Sequence, residues 1–409
     1  MRMLEVSKTS HPMRVVIAPN AFKGTLTSPE AARAIGQGVV QVWPGATCRA
    51  VPLADGGDGF RATLLLAPGS KKLRFRVPGP FLEPVSAAVG WPGGQPGRVA
   101  VVELADCCGL SRVEHPSPDS SLRASTRGLG ELILAALANQ AERVLIGLGG
   151  SASTDGGAGL GQALGFRLLD RDGQPIRPGG IGLIDLDRID RAGASPLLRD
   201  KELLAACDVD SPLLGRLGAA VTFSPQKGAD PPTVGLLERG LARLAQIVER
   251  DLQLPPIESE PGMGAAGGTA FGLAAFGGAR LESGVSLVAS WVGLDDALDR
   301  AQLVITGEGR FDLASLRGKV TGEVLRRAAS RQLPCVVLAG SAESEAEQAA
   351  RELGGRVVLT SARGGLPGGL TRRAALRELR EAAKWACLKL AEEARTDPAG
   401  GARRPTHGQ

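Results

Sequence analysis

The 409-residue chain contains no tyrosine, and aromatic residues make up only 3% of it. A surface that stacks unpaired bases needs aromatic rings, so a single-strand nucleic-acid binder is excluded. Histidine is scarce: there are only His11, His115 and His407, and none lies in a glycine-rich stretch. Imidazole catalysis is therefore not expected, and a general base must be a carboxylate. The six cysteines (Cys48, Cys107, Cys108, Cys207, Cys335 and Cys387) form no C-x-x-C pair. Several sit in apolar runs, where a reduced, buried thiol is the plain reading and a zinc site has no support. No apolar run approaches the ~20 residues that span a bilayer, and residues 1–12 lack the apolar core of a secretory signal. A cytoplasmic protein without a membrane or nucleic-acid partner is expected. The chain has no G-x-S-x-G elbow and no H-E-x-x-H. Gly318-Lys319-Val320-Thr321 lacks the upstream glycine and the adjacent hydroxyl of a P-loop.

What is present is an ordinary globular composition, 43% hydrophobic and 22% charged, long enough for two domains. The net charge of +5 comes from nine lysines and 39 arginines spread along the chain. It reads as solvated surface with a mild bias towards anionic ligands. The 57 glycines and 27 prolines cluster in short motifs between apolar runs. Strand-like runs at 14–18, 99–104, 144–148, 303–306, 335–339 and 357–359 alternate with helical patterns, which gives an α/β fold. Ser28-Pro29-Glu30 has the form of a helix start, and that helix should run to about Val42. Leu129, Leu132, Ile133, Ala136 and Leu137 share one helix face, and a long final helix should span about 372–394. Composition shifts near 71 and 294 predict one domain from both chain ends, 13–70 with 295–395, and an inserted α/β domain, 71–294. Residues 1–12 and 396–409 are expected to be disordered tails.

Four glycine-rich stretches carry chemistry. The strongest runs from Gly147 to Gly159, after the strand at 144–146, with Gly149, Gly150, Ser151, Ser153, Thr154 and Asp155 within it. Bare glycines let backbone N–H groups approach an anion, hydroxyls add donors, and Asp155 could hold a hard divalent cation. The second is Ala18–Thr25, after the first strand, where open α/β sheets place ligands and where Lys23 could meet an anion. The third is Asp55-Gly56-Gly57-Asp58-Gly59. The fourth is Thr306-Gly307-Glu308-Gly309-Arg310-Phe311-Asp312, read as a loop after a strand and followed by Lys319. Asp208, at the end of an apolar run, and Lys227, beside Gly228, are weaker candidates.

Together these motifs resemble the bacterial glycerate kinase family, type one. The resemblance is carried in order by VVIAPNAFKGTLTSPEAA, VPLADGGDGF, STRGLGELI, IGLGGSASTDGGAGLGQALG, ACDVDSPLLG, FSPQKGAD, GMGAAGG, VITGEGRFD and LAGS, over nearly the whole chain from about Val15. It implies two α/β domains, one discontinuous and flavodoxin-like with the second inserted, and an active site in the cleft between them. It also implies phosphorylation of D-glycerate by ATP with Mg²⁺, 2-phosphoglycerate being the favoured product. The chain departs from the common pattern at Asn20-Ala21, at Ser153-Thr154 and in the ADCCG of residues 105–109. A homodimer is left open.

On this reading Asp55 is the first choice as base and Asp312 the second, with Lys23 also in the catalytic set. Lys23, Arg310, Gly56 and Gly57 are assigned to glycerate, since its carboxylate needs a cation. Gly149, Gly150, Ser151, Thr154, Lys227, Gly307, Glu308 and Lys319 are assigned to the nucleotide, and Asp155 and Asp208 to the metal. The alternatives are a dinucleotide-dependent oxidoreductase, from Gly147-x-Gly149-x-x-Ala152 with Asp170 some 20 residues on, and a non-catalytic sugar-acid binding protein.

Overall fold

The computed structural model describes residues 12–22, 24–57, 59–93, 98–360 and 371–396. The expected tails lie almost wholly outside the described residues. In chain order the strands are β1 (Arg14–Ile17), β2 (Thr47–Ala50), β3 (Lys71–Pro78), β4 (Pro84–Trp91), β5 (Val99–Glu103), β6 (Arg143–Gly147), β7 (Arg167–Leu169), β8 (Arg188–Asp190), β9 (Glu202–Ala206), β10 (Arg280–Glu282), β11 (Leu303–Phe311), β12 (Cys335–Ala342) and β13 (Gly355–Leu359).

The chain divides into two compact units, Met1–Ala54 with Val285–Gln409, and Asp55–Gly284. By this division the inserted unit runs from Asp55 to Gly284, where 71–294 is expected. The reason lies in local packing. Phe60 is fully buried, and Arg61 pairs with Glu103 at 3.1 Å and Asp106 at 2.5 Å. The Asp55–Gly59 loop and the short helix Phe60–Leu64 thus belong with β5 of the inserted unit.

In the first unit the sheet order is β13-β12-β11-β1-β2, all parallel. Counted along the unit's own chain this is 2-1-3-4-5, the flavodoxin-like order, whose switch point lies between β1 and β11. The helix Ser28–Val42 starts as its sequence predicts: Thr27 and Glu30 form a reciprocal capping box and Pro29 lies in the first turn. Gly38 lets that helix press on Arg372–Thr396, where an added Cβ would lie 2.9 Å from that of Ala383. Ile17, Ile35, Val39, Ile305, Leu338 and Leu379 fill the core between them. Each such buried side chain contributes ~1.5–3 kcal/mol.

One expectation is corrected here. Residues 307–311 are not a loop, because β11 continues to Phe311 and pairs with β12 as far as Ala342. The glycines are what permit it: a Cβ on Gly340 would lie 2.5 Å from the Gly309 carbonyl oxygen.

In the inserted unit the order is β10-β9-β6-β5-β4-β3. The first four strands are parallel, and β3 and β4 form an antiparallel hairpin at the β5 edge. The sequence at 71–97 shows short β-like pieces, and the hairpin is what they build. The helix Arg127–Ala138 buries the face read from its apolar spacing, including Leu129, Leu132 and Ile133. The strand β7 pairs with β8 in a two-stranded sheet separate from the main one. Among the described residues no helix is long and apolar enough to cross a membrane.

Candidate functional site

The inserted unit gathers its glycine motifs at the carboxyl ends of β5, β6 and β9. Gly149 N donates to Gly56 O at 3.0 Å, so the Asp55–Gly57 and Gly147–Gly150 stretches face each other across the end of β6. Their backbones are so close that a Cβ on Gly149 would overlap the Cα of Gly57, while one on Gly56 would lie 2.5 Å from Ala206 O. Only glycine fits at these points. Asp208 and Asp55 hold the first stretch: Asp208 Oδ2 accepts from Gly56 N at 3.1 Å, and Asp55 Oδ1 accepts from Gly57 N at 2.9 Å. Asp208 Oδ1 also accepts from Ser283 Oγ at 3.0 Å. Both carboxylates are half-buried. A cavity of 440 Å³ opens here, lined by Gly56, Gly57, Gly147, Gly149, Asp106 and Arg112 among others.

The remainder of the loop is buried and cross-braced. Gly150 O accepts from Leu110 N and Ala152 N donates to Cys108 O, both at 2.8 Å. Gly150 itself is exposed with φ of 71°, a left-handed conformation that suits glycine. Asp155 has no exposed surface. Its Oδ2 accepts from Thr126 N at 2.9 Å, Thr126 Oγ1 at 2.8 Å and Gly159 N at 3.2 Å, and its Oδ1 from Gly157 N at 3.2 Å. Burial raises its pKa against these donors, which pull it down. This geometry gives the expected metal role no support: the carboxylate is sealed from solvent and both of its oxygens accept hydrogen bonds that close the turn. Thr154, expected at the nucleotide, is also fully buried, with no hydrogen-bond partner for its hydroxyl. Lys227 is 2% exposed and donates to Ser151 Oγ at 2.8 Å and Ser153 O at 2.5 Å. It braces the loop from inside, where direct contact with a nucleotide was expected.

In the first unit the β1 and β11 ends meet at the switch point. Thr306 Oγ1 donates to Ala18 O at 2.7 Å, and Asn20 N donates to Gly307 O at 2.9 Å. Glu308 is 8% exposed, and burial raises its pKa against the pull of the Thr321 and Ser315 hydroxyls and of Lys319. Its Oε1 has no hydrogen-bond partner among the described residues. Lys319 is half-buried at the start of the helix Val320–Ser330. Arg310 is exposed and reaches Glu343 at 2.8 Å and Asp312 at 3.7 Å. Asp312 caps the turn Leu313–Leu316, accepting from Ser315 N at 2.9 Å. Burial works to raise its pKa, but Ser315, Lys319 and Arg310 leave it lowered. Lys23 lies outside the described residues.

Thr126, Cys108, Asp106 and Arg112 have no site role in the sequence reading. The Thr126–Asp155 pairing joins residues 29 positions apart, and only the motif STRGLGELI marked that region. The oxidoreductase alternative fails on topology: the strand before Asp170 is β7, outside the main sheet, and Asp170 Oδ1 accepts from Asp172 N and Gln174 N in a local turn.

Comparison with known proteins agrees with this architecture. The model of the glycerate kinase family matches residues 15–384. A glycerate kinase of Bacillus subtilis (strain 168) is 43% identical over 329 residues, 80% of this chain and 85% of that protein. A glycerate 2-kinase of Escherichia coli (strain K12) is 40% identical over the same shares of the two chains. The crystal structure of a protein assigned as glycerate kinase 2 from Salmonella typhimurium LT2 superposes with a TM-score of 0.81 at 36% identity, covering 94% of this chain and 100% of that one. With its two α/β units and these motifs matched in order, the chain belongs to the glycerate kinase family.

Proposed function

We propose that this protein transfers the γ-phosphoryl group of ATP to the 2-hydroxyl of D-glycerate, giving 2-phosphoglycerate and ADP, in the cytoplasm. The observation that carries the reading, beside family membership, is the pair of glycine stretches facing each other across the end of β6. Phosphoryl transfer asks for positioning and charge neutralisation more than covalent chemistry, and the hydrogen bonds of Gly56, Gly57 and Gly149 hold both stretches rigidly beside the cavity. Gly149, Gly150 and Ser151 would bind the ATP phosphates. In the first unit, Gly307, Glu308 and Lys319 are kept as further nucleotide residues.

Asp55 is the proposed base. Among the described residues it accepts one hydrogen bond, on Oδ1, which leaves Oδ2 for the proton of the glycerate hydroxyl as the new P–O bond forms and ADP departs. Asp312 is the poorer choice, since capping and neighbouring cations already favour its charged form. Arg310 and Lys23 would neutralise the glycerate carboxylate. Magnesium needs only one or two carboxylates plus phosphate oxygens. Among the described residues no group of three or more candidate ligands is found. The hard oxygens of Asp208, held to the glycine stretch that Asp55 also braces, fit that modest requirement. Bound there, the ion would neutralise phosphate charge.

Incubating the purified protein with ATP, Mg²⁺ and D-glycerate should yield ADP, and phosphorus NMR should show the 2-phosphate. Glycerate binding with no ADP formed would favour the non-catalytic binding protein instead.

A further inference from the structure

Lys227 ends the turn Pro225–Lys227 and lies under the Gly149–Ser151 loop. Both of its acceptors, Ser151 Oγ and Ser153 O, are uncharged, and among the described residues it forms no ion pair. Asp155 is near enough to favour the ammonium form, but its oxygens are engaged by Thr126, Gly157 and Gly159. A buried cation without a contacting counter-ion is costly. Among the described residues the buried Thr154 Oγ1 of the same loop has no hydrogen-bond partner. The structure of the loop by itself does not balance this charge.

Ser151 connects the cation to the surface. Its Oγ accepts from Lys227, so its own proton is left to donate elsewhere. The residue is 7% exposed, and the backbone on either side is pinned by Leu110 and Cys108. The hydroxyl cannot donate to the Lys227 ammonium, which carries no lone pair, so its proton is turned away from that nitrogen.

We propose that Lys227 is a positioning residue for the nucleotide phosphates: without touching them, it fixes Ser151 Oγ as an outward donor and supplies the positive charge that a polyphosphate on Gly149–Ser151 neutralises. This rests on the ATP reading of that loop. It replaces direct contact between Lys227 and the nucleotide with action through Ser151. The consequence is a pH limit on nucleotide affinity. Burial pushes the Lys227 pKa down to about 8, with Cys108 and Asp155, the titratable groups facing it, working the other way. The Cys108 thiol, pushed up to about 12 by burial, stays neutral through this range. Burial raises the Asp155 pKa against the pull of its Thr126, Gly157 and Gly159 donors.

The test is ATP affinity by calorimetry on the full chain with Mg²⁺, from about pH 7 to about pH 10, a range in which ATP itself is fully ionised at the upper end. ADP serves as a second probe. Wild-type affinity should fall as the pH passes about 8. Lys227→Met should bind roughly 10-fold more weakly at pH 7 and show no such fall, with kcat at saturating ATP and the glycerate KM within about twofold. Ser151→Ala keeps the charge and removes the donor, so it should weaken binding but retain the pH dependence. The proposal is overturned by a flat wild-type profile, by wild-type affinity in Lys227→Met, or by an effect on glycerate KM instead of ATP. The wild-type profile needs no variant to fold. If wild type neither binds ATP nor forms ADP, the reading of the loop itself has failed, which is a separate outcome.

Discussion

Gly57 and Gly149, 92 positions apart in sequence, meet backbone to backbone, with no room between them for a single methyl group. The contact puts the two glycine motifs of the inserted unit on one side of the cavity, next to the end of β6.

Gly149→Ala should therefore act through sterics alone. The neighbour is backbone, which cannot swing aside, so the two stretches must part. A stability loss of about 1–3 kcal/mol is expected from the overpacking, together with weakened ATP binding. Gly150→Ala meets nothing closer than 3.6 Å and suffers only from its φ of 71°. It should cost about 1 kcal/mol. Thermal melts of the two variants beside ATP titrations separate the cases; equal, unchanged affinity in both would remove the loop from the nucleotide site.

Asp155→Asn tests the reassignment of that residue. An amide cannot accept on both ends, so at least one buried donor loses its partner, at a cost of roughly 1–3 kcal/mol. The melting temperature should drop, while the Mg²⁺ concentration giving half-maximal activity stays at the wild-type value. Unchanged stability with a raised Mg²⁺ requirement would restore the metal role.

For the base, Asp55→Asn should lower kcat by about 10²–10⁴ with glycerate KM nearly kept. Asp312→Asn should keep the cap on Leu313–Leu316, because the amide oxygen still accepts from Ser315 N, with kcat reduced far less. Steady-state kinetics of both variants decide the ranking, and a larger kcat loss in Asp312→Asn reverses it.

Much of the fold was legible because local rules and tertiary packing agree. The helix Ser28–Val42 begins where Ser28, Pro29 and Glu30 predict, with Thr27 as its cap, and the strands near Val99 and Val144 are buried apolar runs, as parallel strands tend to be. The extension of β11 was not legible. Gly307, Glu308, Gly309 and Arg310 have the composition of a loop, and only the facing Gly340 in β12 explains why a strand forms. At the candidate site the structure brings the Gly149 and Asp55 motifs together but buries Asp155, and an acid beside glycines looks the same in sequence whether it faces solvent or a buried threonine. Burial decides between the two, and no local pattern reports it. The borders of the inserted unit differ from the expected ones for the same reason, since Arg61 finds Glu103 and Asp106 only in three dimensions.

Lys227 also makes a signed prediction about stability. Its pKa is pushed from the ordinary 10.5 to about 8 in the fold. Below about pH 8 the lysine is protonated in both folded and unfolded chains, and the fold bears the full penalty of the buried charge. Between about 8 and 10.5 the unfolded chain holds the extra proton, so stability rises with pH, and above 10.5 the contribution is constant. The buried thiols of Cys108, Cys335 and Cys387, all pushed up to about 12, work in the opposite direction over the alkaline part of this range. The comparison must therefore be wild type against Lys227→Met, which shares those thiols. Denaturant unfolding without nucleotide should show wild type gaining on the variant by on the order of 3 kcal/mol from pH 7 to pH 10.5. This is the range in which its ATP affinity is expected to fall. A difference between the two proteins that does not change with pH would show that Lys227 keeps its proton in the fold, and the alkaline loss of ATP affinity would then need another cause.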